Sequence, residues 1–143
     1  MGTARTRPRR TILVVDDEPE VLSLFKAILA SEDAEILSAG SGAKALAIAR
    51  RTQLDLVILD VKLPDLSGTE VLRCLRKMDD TLPVIIVTAY GSADSVRASM
   101  RLGAFDYLTK PFDNEEIRRV AREALMVGGA RRAILSEVPR GGE

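Results

Sequence analysis

The chain has 143 residues, of which 46% are apolar and 29% charged, a composition typical of one globular domain. Lys plus Arg and Asp plus Glu both total 21, so the net charge of zero provides no overall attraction to nucleic acid or to a membrane surface. No apolar run is long enough to span a bilayer, and the single cysteine, Cys74, excludes an internal disulfide and fits a reducing cytoplasm.

The chain contains no histidine. The commonest general base and metal ligand is therefore absent, and any histidine phosphodonor must belong to another molecule. A metal bound by this chain needs oxygen ligands, which favours Mg²⁺, Ca²⁺ or Mn²⁺.

Five short apolar runs predict strands, each followed by an amphipathic stretch that predicts a helix. The strands are predicted at residues 12–15, 35–38, 55–60, 83–87 and 104–108. The helices are predicted from these apolar stripes: Val21, Leu24, Phe25, Ile28 and Leu29; Ala45, Leu46 and Ala49; Val71, Leu72, Leu75 and Met78; Val96 and Met100; Ile117, Val120, Ala121 and Ala124. This alternation predicts an α/β fold with five parallel strands, five helices and right-handed crossovers. We expect the strand order 2-1-3-4-5, with the ligand crevice outside the carboxyl ends of strands 1 and 3.

The two ends of the chain differ from the middle. Residues 1–10 contain four arginines and no acid, which predicts a flexible basic tail; no aromatic or fold motif favours nucleic-acid binding. The domain is predicted at residues 11–127. Residues 128–143 are rich in Arg and Gly and are predicted to be a tail or linker, with Gly128-Gly129 ending the last helix.

Polar side chains follow four of the predicted strands: Asp16 and Asp17, Asp60, Thr88 and Lys110. The carboxyl ends of parallel strands share one edge of the sheet, so we expect these side chains to meet there. Carboxylates about 4 Å apart repel by roughly 4 kcal/mol per pair at an effective dielectric near 20, which calls for protons or a cation. Mg²⁺ is the natural cation when phosphate is also present.

Asp60 directly follows an unbroken run of four apolar residues and is the candidate nucleophile, since aspartate can form an acyl phosphate. The metal, Lys110 and the Thr88 hydroxyl would each bind one phosphoryl oxygen. Each residue alone has an ordinary explanation: Asp16 and Asp17 could cap a helix, and Asp60 could be a turn acid. Their joint arrival on one edge favours the phosphoryl site.

Four stretches resemble the receiver domain of two-component response regulators: residues 12–19 (ILVVDDEP), 56–68 (LVILDVKLPDLSG), 83–91 (PVIIVTAYG) and 103–112 (GAFDYLTKPF). The resemblance covers about residues 10–127 and is closest to receivers of the sigma-54 activator type. It implies a flavodoxin-like receiver fold in which Asp60 is phosphorylated. It also implies that Mg²⁺, or Mn²⁺ in its place, is bound by Asp16, Asp17, Asp60 and the backbone carbonyl of Lys62.

The resemblance assigns further roles in signalling. Thr88 and Lys110 would contact the phosphoryl group, and Tyr107 would be the aromatic switch residue that moves with Thr88. The Lys110-Pro111 peptide bond would be cis. Lys62 and Tyr90 would flank the path of the hydrolytic water, and because neither is a carboxylate or amide, we expect slow self-dephosphorylation.

The implied partners are a sensor histidine kinase or phosphotransfer protein and an output domain or protein, in the cytoplasm. The output would read the face of helix 4, strand 5 and helix 5, which would also be the contact of a homodimer if one forms. The chain would be a phosphoacceptor signalling domain rather than an enzyme.

Three alternatives stay open. A pseudo-receiver would act by protein interaction without phosphorylation. A flavodoxin-like small-molecule binder is disfavoured because Asp16-Asp17-Glu18-Pro19 stands where a Gly-rich phosphate loop would follow strand 1. A haloacid-type hydrolase is disfavoured because Lys62 occupies the position of its second aspartate.

Overall fold

The computed structural model of the chain describes residues 9–89 and 91–137. Its elements in chain order are β1 (Arg10–Val15), α1 (Pro19–Ile28), a 3-10 turn (Leu29–Ser31), β2 (Ala34–Ala39), α2 (Gly42–Arg51), β3 (Leu56–Leu59), α3 (Gly68–Met78), β4 (Val84–Thr88), α4 (Ala93–Arg101), β5 (Asp106–Thr109) and α5 (Asn114–Glu137).

The five strands form one parallel sheet in the order β2-β1-β3-β4-β5, which confirms the predicted order. In β1 and β3, alternate residues face opposite sides of the sheet. Ile12 and Val14 join the core beneath α1 and α5, while Leu13 and Val15 join the core beneath α2 and α3. Because both faces are covered, β3 is apolar along its whole length and β1 is apolar from Ile12 onward, which is why the sequence located them well.

Local signals set where three helices begin. Pro19 starts α1, where its missing N–H costs nothing. Ser41 caps α2 by accepting a hydrogen bond from the Lys44 N–H, and Ser67 and Glu70 form a capping box at the start of α3.

The predicted helix stripes were wrong at three positions. Leu24, Met78 and Met100 are 43%, 40% and 44% exposed. In α4 the buried residue is Ser99, whose hydroxyl oxygen has no hydrogen-bond partner among the described residues. α4 is therefore held to the domain by little apolar contact of its own.

The predicted end of α5 at Gly128-Gly129 was also wrong, because the helix continues to Glu137. Gly128 is buried against Pro83, and beyond it Arg132 donates a hydrogen bond to Asp55 (2.8 Å) and another to the Leu54 carbonyl. These tertiary contacts offset the low helix propensity of two adjacent glycines.

The predicted tails are described only in part. β1 begins at Arg10, so the basic tail of residues 1–10 overlaps the sheet by one residue, and residues 1–8 are not described. Residues 138–143 are not described either, and the assignment of residues 128–143 to a tail or linker stays a prediction, although residues 128–137 are helical.

Candidate functional site

The site lies at the carboxyl edge of the sheet, where the sequence predicted it. Asp16 directly follows β1, Asp60 directly follows β3, and Lys110 directly follows β5. The Lys110 ammonium lies between the two acids, with its Nζ 2.7 Å from Asp16 Oδ2 and 3.0 Å from Asp60 Oδ2. One nitrogen thus joins two acids that lie 94 and 50 positions before Lys110 in the chain.

The second oxygen of each acid is held by backbone. Asp16 Oδ1 accepts a hydrogen bond from the Glu18 N–H (3.0 Å), and Asp60 Oδ1 accepts one from the Lys62 N–H (3.1 Å). Each carboxylate is therefore fixed in orientation by one local backbone donor and one shared ammonium. Asp16 is 2% exposed and Asp60 is 7% exposed, so the surrounding protein restricts access of water to both.

Burial and neighbouring charge shift the pKa values of Asp16 and Lys110 in opposite directions. Burial raises the pKa of Asp16, and the hydrogen bond from Lys110 only partly offsets this effect. Burial would lower the pKa of Lys110, but its hydrogen bonds to Asp16 and Asp60 outweigh that and raise it. The lysine is thereby kept protonated beside the two acids.

A group of oxygen donors suits a hard cation. Ligand oxygens of Asp16, Asp17 and Glu18 all lie within 4.8 Å of one another. Asp17 and Glu18 are exposed and adjoin a pocket of about 380 Å³ that is also lined by Asp60 and Lys62. All-oxygen donors of this kind fit Mg²⁺ better than a thiophilic metal. Glu18 was not assigned to the site from the sequence, although it directly follows the two aspartates.

Thr88 is the last residue of β4 and its side chain is fully buried. Its carbonyl accepts a hydrogen bond from the Lys110 N–H (2.9 Å), which fixes the strand end that carries the lysine against the end of β4. The Lys110-Pro111 peptide bond is cis, as the resemblance implied.

Tyr107 lies in β5, paired with Ile86 of β4. Its side chain is half-buried, and its hydroxyl lies 3.2 Å from Ser95 Oγ of α4, so that one of the two hydroxyls donates to the other. The Tyr107 ring thus connects the sheet to α4. Tyr90, predicted to affect the lifetime of the phosphoryl group, lies outside the described residues.

The fold and the side chains at the carboxyl edge of the sheet define the class of protein. A doubly wound sheet of order 2-1-3-4-5, with clustered acids after β1, one buried acid after β3 and a lysine after β5, is the arrangement of receiver-type signalling domains. Among the described residues, no helix has the length and apolarity that crossing a bilayer requires.

Comparison with known proteins agrees with this class. The family model for the response regulator receiver domain matches residues 12–122. The chain therefore belongs to the response regulator receiver family, whose members are signalling domains of two-component systems. Relatives of the sigma-54 activator type are among those that match, as the motifs indicated.

Two curated relatives and one solved structure illustrate the match. The chain is 45% identical over 107 residues to the probable transcriptional regulatory protein TcrX of Mycobacterium tuberculosis, covering 75% of this chain but only 46% of TcrX. It is 38% identical over 114 residues to sporulation initiation phosphotransferase F of Bacillus subtilis, covering 80% of this chain and 92% of that protein. The signal receiver domain of a putative Luxo repressor protein from Vibrio parahaemolyticus superposes with a TM-score of 0.85 at 31% identity, covering 92% of this chain and all of that chain.

Proposed function

We propose that Asp60 accepts a phosphoryl group from a phosphohistidine of a partner kinase or phosphotransfer protein. The carrying observation is the geometry of Asp60, which is 7% exposed, bonded through one oxygen to Lys110 and placed beside the acids that follow β1. An Asp60 oxygen attacks phosphorus, the bond from phosphorus to the histidine nitrogen breaks, and that nitrogen keeps the electron pair. The chain has no histidine, so the donor comes from a partner.

In this proposal Asp16, Asp17, Asp60 and the Lys62 carbonyl hold Mg²⁺, or Mn²⁺ in its place, and Glu18 is near enough to assist. The ion neutralises negative charge on the phosphoryl oxygens when bound. Lys110 binds a phosphoryl oxygen with the ammonium that now joins Asp16 and Asp60, and the Thr88 hydroxyl binds another. The exchange of one set of Lys110 contacts for another links phosphorylation to the ends of β4 and β5.

The signal would then leave through α4, β5 and α5. The aspartyl phosphate carries about two negative charges on its phosphoryl oxygens, where the free carboxylate carried one. Thr88 moves toward it and Tyr107 turns into the space that Thr88 leaves, which breaks the contact of Tyr107 with Ser95. α4 is a suitable moving part because its only buried residue is Ser99, a polar one. This is a shift between two packings of the same chain.

Intact mass spectrometry after incubation with acetyl phosphate and Mg²⁺ tests the acceptor and the metal together. We expect one phosphoryl adduct on the wild type and on Asp80→Asn, a control that removes an exposed acid from the loop before β4, at the opposite edge of the sheet. We expect no adduct on Asp60→Asn or after chelation of Mg²⁺. Absence of the adduct from the wild type would reject the proposal and favour the pseudo-receiver, which works without phosphorylation.

Amide chemical-shift mapping with beryllofluoride, a phosphoryl analogue, tests the output face. We expect the largest changes remote from Asp60 to lie in α4, β5 and α5, and to be lost in Asp60→Asn. Unchanged shifts on this face in the wild type would refute the switch while leaving phosphorylation intact. A partner output domain, a homodimer through this face and a cytoplasmic location belong to the same proposal.

A further inference from the structure

The loop between β3 and α3 forms one wall of the site. We call residues 61–67 the acceptor loop, since it directly follows Asp60. Lys62, Leu63 and Pro64 of this loop line the pocket that Asp60 and Lys110 also line. The position of the loop therefore decides where the Lys62 carbonyl, the proposed fourth metal ligand, is placed.

Asp65 connects the acceptor loop to a different element. Its Oδ1 accepts hydrogen bonds from the Gly42 N–H (2.8 Å) and the Leu66 N–H (2.8 Å), and its Oδ2 accepts one from the Ala43 N–H (2.9 Å). Gly42 and Ala43 are the first two residues of α2, 23 and 22 positions earlier in the chain. The bonds from Ala43 and Gly42 lower the pKa of Asp65, so the carboxylate is charged at neutral pH.

Helix capping alone does not account for these bonds. α2 has its own N-cap, Ser41, whose Oγ accepts from the Lys44 N–H (3.2 Å). Close packing accompanies the bonds: a Cβ added to Gly42 would lie 2.9 Å from Leu66 Cβ. The acceptor loop and the start of α2 are therefore joined both by a carboxylate and by direct contact.

The two ends of the acceptor loop are joined to each other. Lys62 pairs with Ser67 in an isolated antiparallel bridge, and the Gly68 N–H donates to the Val61 carbonyl (2.6 Å). A Cβ at Gly68 would lie 2.4 Å from Val61 Cα, so only glycine permits this approach. The loop is thus closed at its base, and Asp65 lies only three positions after Lys62 within it.

We propose that Asp65 is a positioning residue for the metal site. Its carboxylate fixes the acceptor loop to α2 and so holds the Lys62 carbonyl and the pocket wall in place for Mg²⁺. This inference rests on the proposed function, because it assumes that Mg²⁺ binds beside Asp60. Asp65 itself touches neither the metal nor the phosphoryl group.

The test compares Asp65→Ala with Ser41→Ala, since both remove a capping oxygen from the same helix but only Asp65 joins it to the loop. Mg²⁺ affinity is measured by calorimetry, because the chain has no tryptophan to report binding. We expect Asp65→Ala to bind Mg²⁺ about tenfold more weakly, the lower end for outer-shell groups. Its labelling by acetyl phosphate should be slow at low Mg²⁺ and approach the wild-type rate at saturation. Ser41→Ala should bind Mg²⁺ like the wild type.

The possible results distinguish failure of this inference from failure of the proposed function. If the wild type neither binds Mg²⁺ nor is labelled, both the proposed function and this inference are rejected. If the wild type does both and Asp65→Ala has unchanged affinity, only the inference is rejected. Equal weakening in Ser41→Ala would also reject it, because the cause would then be helix stability. Should Asp65→Ala not fold, Asp65→Asn takes its place, with an expected loss of about threefold because one acceptor oxygen is kept.

Discussion

The positive charge of Lys110 allows two buried acids, Asp16 and Asp60, to lie side by side. Its Nζ lies 2.7 Å from Asp16 and 3.0 Å from Asp60, and the Asp16 side chain is only 3% exposed. Replacing Lys110 with Met should lower the free energy of unfolding by about 3 kcal/mol, since removal of one partner leaves buried charge uncompensated. Urea unfolding measures this loss.

Adding Mg²⁺ to Lys110→Met shows whether the loss of stability comes from the missing charge or from altered packing. Mg²⁺ should restore much of the stability of Lys110→Met, because a bound cation replaces the missing charge and binds only the folded chain. Lys44→Met, which removes an exposed lysine of α2, should change stability by less than about 0.5 kcal/mol. A Lys110→Met protein as stable as the wild type without Mg²⁺ would contradict this account.

The lifetime of the phosphoryl group is a second property of single residues. Lys62 lines the pocket beside Asp60, and Tyr90 is the second residue after Thr88. The double variant Lys62→Asn, Tyr90→Glu should lose its phosphoryl group faster than the wild type, because an amide and a carboxylate can orient water where a lysine and a tyrosine cannot. The decay of the adduct after acetyl phosphate is removed gives the rate, and an equal or slower decay would refute the role of this pair.

At the scale of elements, the two adjacent glycines of α5 have opposite surroundings. A Cβ at Gly128 would lie 2.9 Å from Pro83 Cδ, whereas a Cβ at Gly129 would meet nothing within 4 Å. Gly129→Ala should therefore raise the free energy of unfolding by about 0.5–1 kcal/mol through helix propensity. Gly128→Ala should lower it by about 1 kcal/mol, since overpacking outweighs the same gain.

Thermal and urea unfolding of the two variants give a matched comparison at neighbouring positions. Equal stabilisation in both would mean that Gly128 does not pack on Pro83 and that the second half of α5 stands away from the sheet. Equal destabilisation would mean that the chain needs flexibility at both glycines, as a helix end would.

Burial on both faces and local sequence signals decide which elements could be predicted from the sequence. β1 and β3 are buried on both faces, so their apolar runs located them within one or two residues. Asp16, Asp60 and Lys110 were predicted to meet because the topology of the sheet brings strand ends together. The end of α5 was missed because Gly-Gly is a local stop signal, whereas the helix is continued by contacts with Pro83 and with loops distant in sequence. Leu24, Met78 and Met100 fit helical stripes, yet no element of the described residues covers them.

At the scale of the whole molecule, Arg132 ties the second half of α5 to two loops at the amino edge of the sheet, opposite the site. Its Nη1 donates to Asp55 (2.8 Å), and its Nη2 donates to Asp79 (3.1 Å) and to the Leu54 carbonyl. Burial would raise the pKa of Asp79, but hydrogen bonds from Thr81 and Arg132 outweigh this and hold it below the ordinary value of 3.8. The Arg132 side chain thus joins α5 to the residues before β3 and to the loop before β4.

Removing the Arg132 guanidinium should lower the free energy of unfolding by an amount that depends on pH. Because the pKa of Asp79 is depressed in the folded chain, its contribution to stability is complete above pH 3.8 and is lost as pH falls through the folded pKa. Arg132→Met should therefore lower the free energy of unfolding by about 2 kcal/mol at neutral pH, a value reduced for partial exposure of the pair. The difference between wild type and variant should narrow below pH 3.8. Urea unfolding across this range measures it, with Arg131→Met, an exposed neighbour on the same helix, as the control. A difference that is independent of pH would mean that Arg132 stabilises α5 through its packing and its bond to the Leu54 carbonyl, and not through charge.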